Sequence, residues 1–282
     1  MPLRVAAIDF LNPAPLMWDF NHPPLAAPLS ARYNLTLTAP AECARAVLAG
    51  RADLGLIPIA ALTPQLRVVP GCTIASLHTV RSIQLIVKAP RTLTQVRTVA
   101  ADTASRSSVA YTQILFKHFH SVDPQFHEAP ADAVTMLANH DAALLIGDPA
   151  LLALERRAEI EAAIGPCMWY DIAEQWNAAT GLPWVAAVWA VRPEAVPTAQ
   201  DRTALIADLQ HSRDFGLQHI SQLVQEWTPR IALPPATIHT YFTRNIHYVL
   251  DSRCLEAITL FRTLAAQHNI LPPLPELPLL KL

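Results

Sequence analysis

The chain has 282 residues, 52% hydrophobic and 16% charged, with a formal net charge of -2. That balance fills a globular core and excludes a disordered chain. A charge so near zero supplies no global field toward nucleic acid or anionic lipid, so any anion selectivity must be local.

In chain order, residues 4–8 read as a strand and 12–20 as a short helix. Residues 35–38 follow as a strand and 41–49 as a helix, with Gly50 where a C-terminal glycine cap belongs. A strand at 53–57 is stopped by Pro58, and 74–76 and 83–87 read as further strands. A second α/β block comprises a strand at 98–101, helices at 109–119 and 131–138, a strand at 142–146 and a helix at 149–157. The run "WVAAVWAV" at 184–191 has the unbroken apolar character of a strand buried on both faces. Beyond it come an amphipathic helix at 199–226, broken near Gly216, and helices at 236–250 and 252–268. The Pro- and Leu-rich tail at 271–282 is expected to lie extended over a surface.

Two layouts fit this order, at roughly 100–200 residues per domain. The final helices form a third unit, or the chain crosses into a second lobe and returns. In the second layout, residues 1–87 plus 192–282 make one lobe and 88–191 the other. It places a small ligand between the lobes, outside the carboxyl ends of strands.

The apolar runs at 54–62 and 185–191 fall far short of the roughly 20 residues that span a bilayer. The first strand begins too near Met1 to leave room for a secretory leader, so a cytoplasmic protein is expected. Cys43, Cys72, Cys167 and Cys254 are scattered without metal spacing and read as reduced thiols. No metal is expected.

Polar residues gather at three corners. In "VAADTASRSSV" at 99–109, Thr103, Ser105, Arg106, Ser107 and Ser108 precede a helix. A helix N-terminus offers free N–H groups and partial positive charge, hydroxyls there donate to anions, and arginine forks onto a carboxylate. Capping by Thr103 or Ser105 needs one hydroxyl; four plus an arginine read as a carboxylate cradle. In "FLNPAPL" at 10–16, Asn12 before Pro13 is either a helix cap or an amide facing the cleft, able to donate and accept. In "LIGDPALL" at 145–152, Asp148 reads as a cap, while Gly147 lets backbone approach a ligand closely. Ser82 enters the run at 83–87 and is either an ordinary strand-edge serine or aimed into the cleft; His78 reads as a bystander. No Ser/His/Asp, G-x-S-x-G, paired-carboxylate or H-E-x-x-H signature stands out. Such a site suits a receptor for a small organic acid, or an enzyme whose reaction needs mostly positioning.

Taken in order, these motifs with "GRADLGLIP" at 50–58, "SIQLIV" at 82–87, "YDIAEQWNAATGLPWVAAVWAVR" at 170–192 and "YFTRNIHYVL" at 241–250 resemble the chorismate dehydratases of the futalosine route to menaquinone. The resemblance implies an α/β, two-lobed type II periplasmic-binding-protein-like fold with a central ligand cleft. It implies loss of water from dianionic chorismate to give 3-[(1-carboxyvinyl)oxy]benzoate, without metal or organic cofactor. Asn12 and Ser82 would be catalytic. One substrate carboxylate would sit on the cradle at 103–108. The other would meet the Leu11–Asn12 corner and backbone at Pro58, with Gly147 close to the substrate. Phe10 stands where the family usually has tyrosine, Pro13-Ala14-Pro15 replaces Ser-x-Pro, and Ile59 replaces a frequent serine, so two hydroxyls near the cleft are missing. The alternatives are a non-catalytic binding protein for an aromatic or dicarboxylic acid, and the 1,4-dihydroxy-6-naphthoate synthase that shares the fold. Monomer and homodimer remain equally open, with no nucleic-acid or membrane partner expected.

Overall fold

The computed structural model describes residues 2–104 and 106–282. Its strands are β1 (Leu3–Ile8), β2 (Tyr33–Thr38), β3 (Leu54–Pro58), β4 (Arg67–Ser76), β5 (Ile83–Lys88), β6 (Thr98–Asp102), β7 (Gln125–Ala129), β8 (Ala142–Ile146), β9 (Cys167–Asp171), β10 (Trp184–Val191) and β11 (His247–Leu250). They form two sheets, in the orders β2-β1-β3-β10-β4-β11 and β7-β6-β8-β5-β9. In the first, β2, β1 and β3 run parallel and β10 lies antiparallel between β3 and β4. The second repeats the plan: β7, β6 and β8 run parallel and β5 lies antiparallel between β8 and β9.

Each inserted strand reaches its sheet from across the gap. The chain crosses at residues 77–82 and returns at 172–183. The expected boundaries at 87/88 and 191/192 therefore fall one strand too late. The runs at 83–87 and 184–191 are apolar throughout, and only a central position, flanked on both edges, buries and pairs such a strand fully. Asp171 ties the two crossings together: it accepts from the N–H groups of Val80 (3.3 Å) and Arg81 (2.6 Å) while capping the Ile172–Thr180 helix through Ala173 and Glu174.

Other expectations shift for physical reasons. The stretch at 236–250 is not one helix. Helix Pro235–Thr240 runs into a π-helical turn, Tyr241–Asn245, and then into β11, which pairs with the edge of β4. The long helix breaks at His219, between Ala199–Gln218 and Ile220–Trp227, and not at Gly216. Gly216 instead marks a close approach, since a Cβ there would lie 2.0 Å from the Pro15 carbonyl oxygen. Nearby, Ser212 donates to the Leu16 carbonyl (2.8 Å) and accepts from the Asp19 N–H (3.0 Å). The segment carrying Asn12 is thus seated on this helix. The tail lies against the first sheet, where Leu279 bridges to Val68.

Behind the gap, Tyr111 packs against Trp176, Trp184 and Phe261 with ring centroids 4.3–5.7 Å apart. Its hydroxyl accepts from the Val185 N–H (3.3 Å). These contacts hold the Ser107–Ile114 helix, which follows β6, against β10. Gly216→Ala should destabilise the fold by about 1–3 kcal/mol, the usual cost of overpacking, because the obstacle is backbone. Urea unfolding measures it, and an unchanged midpoint would show that the Pro15 segment yields freely.

Candidate functional site

One cleft between the sheets is lined by residues of both. Most lie at carboxyl ends of parallel strands. Phe10 and Asn12 follow β1, Pro58 ends β3, Ala104, Arg106, Ser107 and Ser108 follow β6, and Gly147 follows β8. The crossings supply Ser82 and Ile83 on one side and Trp184, Ala186 and Ala187 on the other. Both sheets aim their carboxyl ends at this gap, the placement expected for a ligand in an open α/β sheet.

Asn12 caps nothing. Pro13 holds the N-cap position of the following 3-10 turn, Ala14–Met17, and no side chain caps it. Among the described residues the Asn12 Oδ1 is buried without a hydrogen-bond partner, as is the Nε1 of Trp184. Buried polar atoms are seldom left unpaired. An unpaired acceptor and donor on one cleft are what a polar ligand would satisfy. Tyr248 steadies Asn12 from behind by donating to its carbonyl (3.1 Å).

Ser82 is buried at 2% exposure and lines the cleft. The Tyr241 phenol lies near it, and burial holds that phenol well above its usual range. The Ser82 carbonyl accepts from the Gly147 N–H (2.7 Å). Gly147 has φ +61, and a Cβ there would meet the Phe10 ring at 2.8 Å, so only glycine fits this corner. Sequence reasoning misses Tyr241 and Tyr248 as site residues. Their signal is the "YFTRNIHYVL" motif, but their role depends on contacts with Ser82 and Asn12 far away in sequence.

The cradle at 103–108 needs correction. Arg106 is exposed at the cleft and Ser108 is buried in its wall. Ser107 lines the cleft, but its hydroxyl is spent: it donates to the Ala186 carbonyl (3.1 Å) and accepts from the Ala60 N–H (3.2 Å). With its one proton committed, that hydroxyl has nothing to offer a carboxylate. Thr103 is exposed, lies off the cleft, and donates its N–H to Ala129 (3.3 Å). Ser105 lies outside the described residues. The groups left that could face an anion are Arg106, the Ser108 hydroxyl and the N–H groups of the first turn of the Ser107–Ile114 helix. Leu11 is likewise displaced from its expected role, because its side chain is fully buried and off the cleft.

Asp148 is not the expected cap either. Its helix, Gly147–Glu155, has Ile146 at the N-cap without side-chain capping. The carboxylate accepts instead from the Leu11 N–H across the gap (3.1 Å). Burial pushes it up from 3.8 to about 6, with Asp9 adding to the rise and the Leu11 hydrogen bond and Arg230 opposing it.

The family model described as menaquinone biosynthesis matches residues 3–267. The chain belongs to that family. A chorismate dehydratase from Thermus thermophilus is 29% identical over 230 residues, covering 78% of this chain and 82% of the relative. Among solved structures, a protein from Archaeoglobus fulgidus superposes with a TM-score of 0.74 at 13% identity, covering 96% of this chain and 98% of that one. The alkanesulfonate-binding protein SsuA from Xanthomonas axonopodis, bound to MOPS, gives 0.67 at 17% identity, covering 96% and 94%. A Candida albicans protein described as having the generic periplasmic binding protein fold gives 0.66 at 12% identity, covering 100% and 98%. At these identities the likeness shows the fold alone, the two-lobed architecture expected from the sequence.

In this menaquinone-biosynthesis family member, one group of described residues has metal-like spacing: His247, Asp251 and Cys254, whose donor atoms lie within 4.8 Å. Asp251 is occupied in capping the last helix. The Cys254 N–H donates to the Asp251 carboxylate (2.8 Å), and His247 Nε2 lies 3.2 Å from its other oxygen. The group reads as a helix cap.

The raised Asp148 carboxyl fixes a sign for pH dependence. The folded state holds its proton more tightly than the unfolded chain, so this group's contribution to stability is fullest below pH 3.8 and is lost as pH rises through about 6. Above that range the ionised form costs roughly 3 kcal/mol, at about 1.4 kcal/mol for each tenfold change in proton affinity. Asp148→Asn should therefore be more stable than the parent above pH 6, with the gap closing toward pH 4. Urea unfolding at a series of pH values checks this. A variant less stable than the parent at neutral pH would mean that the carboxylate is well satisfied when charged.

Proposed function

We propose that this chain is a cytoplasmic hydro-lyase that converts chorismate to 3-[(1-carboxyvinyl)oxy]benzoate in the futalosine route to menaquinone. The observation that carries the reading is the meeting of Asn12, with its unpaired amide oxygen, Ser82 and the Arg106–Ser108 helix start on one cleft. The chorismate dehydratase among its relatives supports the choice of substrate.

One substrate carboxylate rests on Arg106, Ser108 and the helix N–H groups. Each charge-assisted hydrogen bond there is worth roughly 1.5–3 kcal/mol. The second faces the Asn12 corner. The ring C–H beside the enol ether breaks, and its electron pair becomes a ring π bond. The neighbouring C–O bond breaks, and the hydroxyl leaves as water with the abstracted proton. The enolpyruvyl carboxylate of the substrate takes that proton from carbon and passes it to the departing hydroxyl. Asn12 and Ser82 orient this carboxylate and the departing hydroxyl and stabilise the charge that develops. The step is redox-neutral and yields an aromatic ring, so positioning and fixed dipoles suffice.

Incubating the protein with chorismate should consume it and give an aromatic product lighter by one water, followed by mass spectrometry. Tight binding without turnover would favour the binding-protein reading. Asn12→Ala should lower kcat by about 10²–10³, the scale of losing one preorganised polar group. Full turnover in that variant would remove Asn12 from the chemistry. Arg106→Ala should raise KM about tenfold to a hundredfold, matching the loss of one charged hydrogen bond. An unchanged KM would place the carboxylate elsewhere.

A further inference from the structure

The Gly147–Asp148 corner holds the backbone of both proposed catalytic segments at once. The Gly147 N–H donates to the carbonyl of Ser82 at 2.7 Å. The next side chain, Asp148, takes the N–H of Leu11, the residue before Asn12, at 3.1 Å. From behind, Tyr248 holds the Asn12 carbonyl. Asn12 is thus gripped on either side of its own amide, and one grip comes from the opposite sheet. The corner cannot slide inward, because the Phe10 ring packs on the glycine. Asp148 itself does not line the cleft. The charged and titratable groups that face its carboxylate are Asp9 and Arg230 on the first sheet's side and the Tyr241 phenol.

We propose that Asp148 is a positioning residue for the dehydration: its acceptor oxygen, through the Leu11 N–H, sets Asn12 against the substrate and completes the site only when the two lobes are closed. A carboxylate that does not touch the cleft can act on the reaction only through what it holds. What it holds is the peptide bearing the unpaired amide oxygen. The interaction is one hydrogen bond between lobes, so any parting of the lobes would break it. Binding and positioning are thereby coupled. An acceptor suffices for this role and charge is not required, which makes the inference separable from an acid–base one.

The inference rests on the proposed reaction, and the test separates the two. Asp148→Ala and Asp148→Asn are compared by steady-state kinetics with chorismate and by amide hydrogen exchange at Leu11 without substrate. Alanine should lower kcat about tenfold to a hundredfold, the cost of a small misplacement, with KM little changed. It should also speed Leu11 exchange about tenfold, the loss of one hydrogen bond. Asparagine, which keeps the acceptor, should restore both. If alanine does not fold, Asp148→Leu, of similar bulk and without an acceptor, carries the same readouts. Unchanged kcat and Leu11 exchange in the acceptor-less variant overturn the proposal. So does asparagine that protects Leu11 yet stays as slow as alanine, because Asp148 would then act through its charge. If the parent protein does not turn over chorismate, the proposed reaction fails, and Leu11 exchange alone decides whether the contact holds the segment.

Discussion

Two strands that are apolar on both faces cannot sit at a sheet edge without exposing both side chains and unpaired backbone. The rest of the architecture follows from where β5 and β10 must go. Each needs a partner on either side, and each finds them in the sheet opposite the one its chain has just left. The chain therefore crosses twice. The starts of both inserted strands are brought beside the carboxyl ends of the parallel strands, and Ser82 and Trp184 arrive at the cleft for that reason alone. Asp171 then locks one crossing to the other with four backbone N–H groups.

The cleft is built as much from spent polar groups as from free ones. Ser107 is the clearest example. Its hydroxyl joins its helix to the backbone after β3 and to β10, so a side chain that looks made for an anion serves as a tie between lobes. Asp148 is a second tie, and the Gly147 N–H a third contact at the same corner. With these groups committed, the groups left over are few and well placed: the Asn12 amide, the Ser82 hydroxyl, Arg106, Ser108 and the helix N–H groups. For the dianion proposed above, this leaves a small set of donors held still, at a low cost in reorganisation.

What the sequence discloses and conceals follows the range of the interactions. The central strands at 142–146 and 184–191 are legible to the residue, because an unbroken apolar run states its own burial. The edge strands β7 and β9 are not, since half-exposed, mixed sequences such as "QFHEA" carry no periodic signal. The Ile172–Thr180 helix does announce itself, with Asp171 as cap and Gly181 in the left-handed conformation after it, yet the pattern of strands and helices read from the sequence omits it. β11 reads as helix because its apolar spacing continues that of the preceding turn, and the free edge of β4 decides otherwise. Asn12, Ser82, Arg106, Ser108 and Gly147, read from local chemistry, and Pro58, implied by the resemblance, all line one cleft. Ser107 and Leu11 are misassigned because the partners that claim them are backbone or carboxylate groups 47 to 137 residues away.

The composition of the cleft also bears on where the reaction's base resides. Among the described residues lining it there is no Asp, Glu or His, and Arg106 alone carries charge. For a dianion this is favourable twice over, since a carboxylate in the wall would repel it and a lone cation near one end orients it. The same wall has nothing able to accept a proton at neutral pH: hydroxyls, amides and an arginine are all far too weak as bases. The nearby carboxylates, Asp102 and Asp148, are held behind the wall and bonded to backbone N–H groups. Under the proposed reaction the base would come from the substrate, since chorismate brings a carboxylate within its own structure. In that proposal the lack of acidic side chains that favours a dianion is the same feature that leaves the base to the substrate.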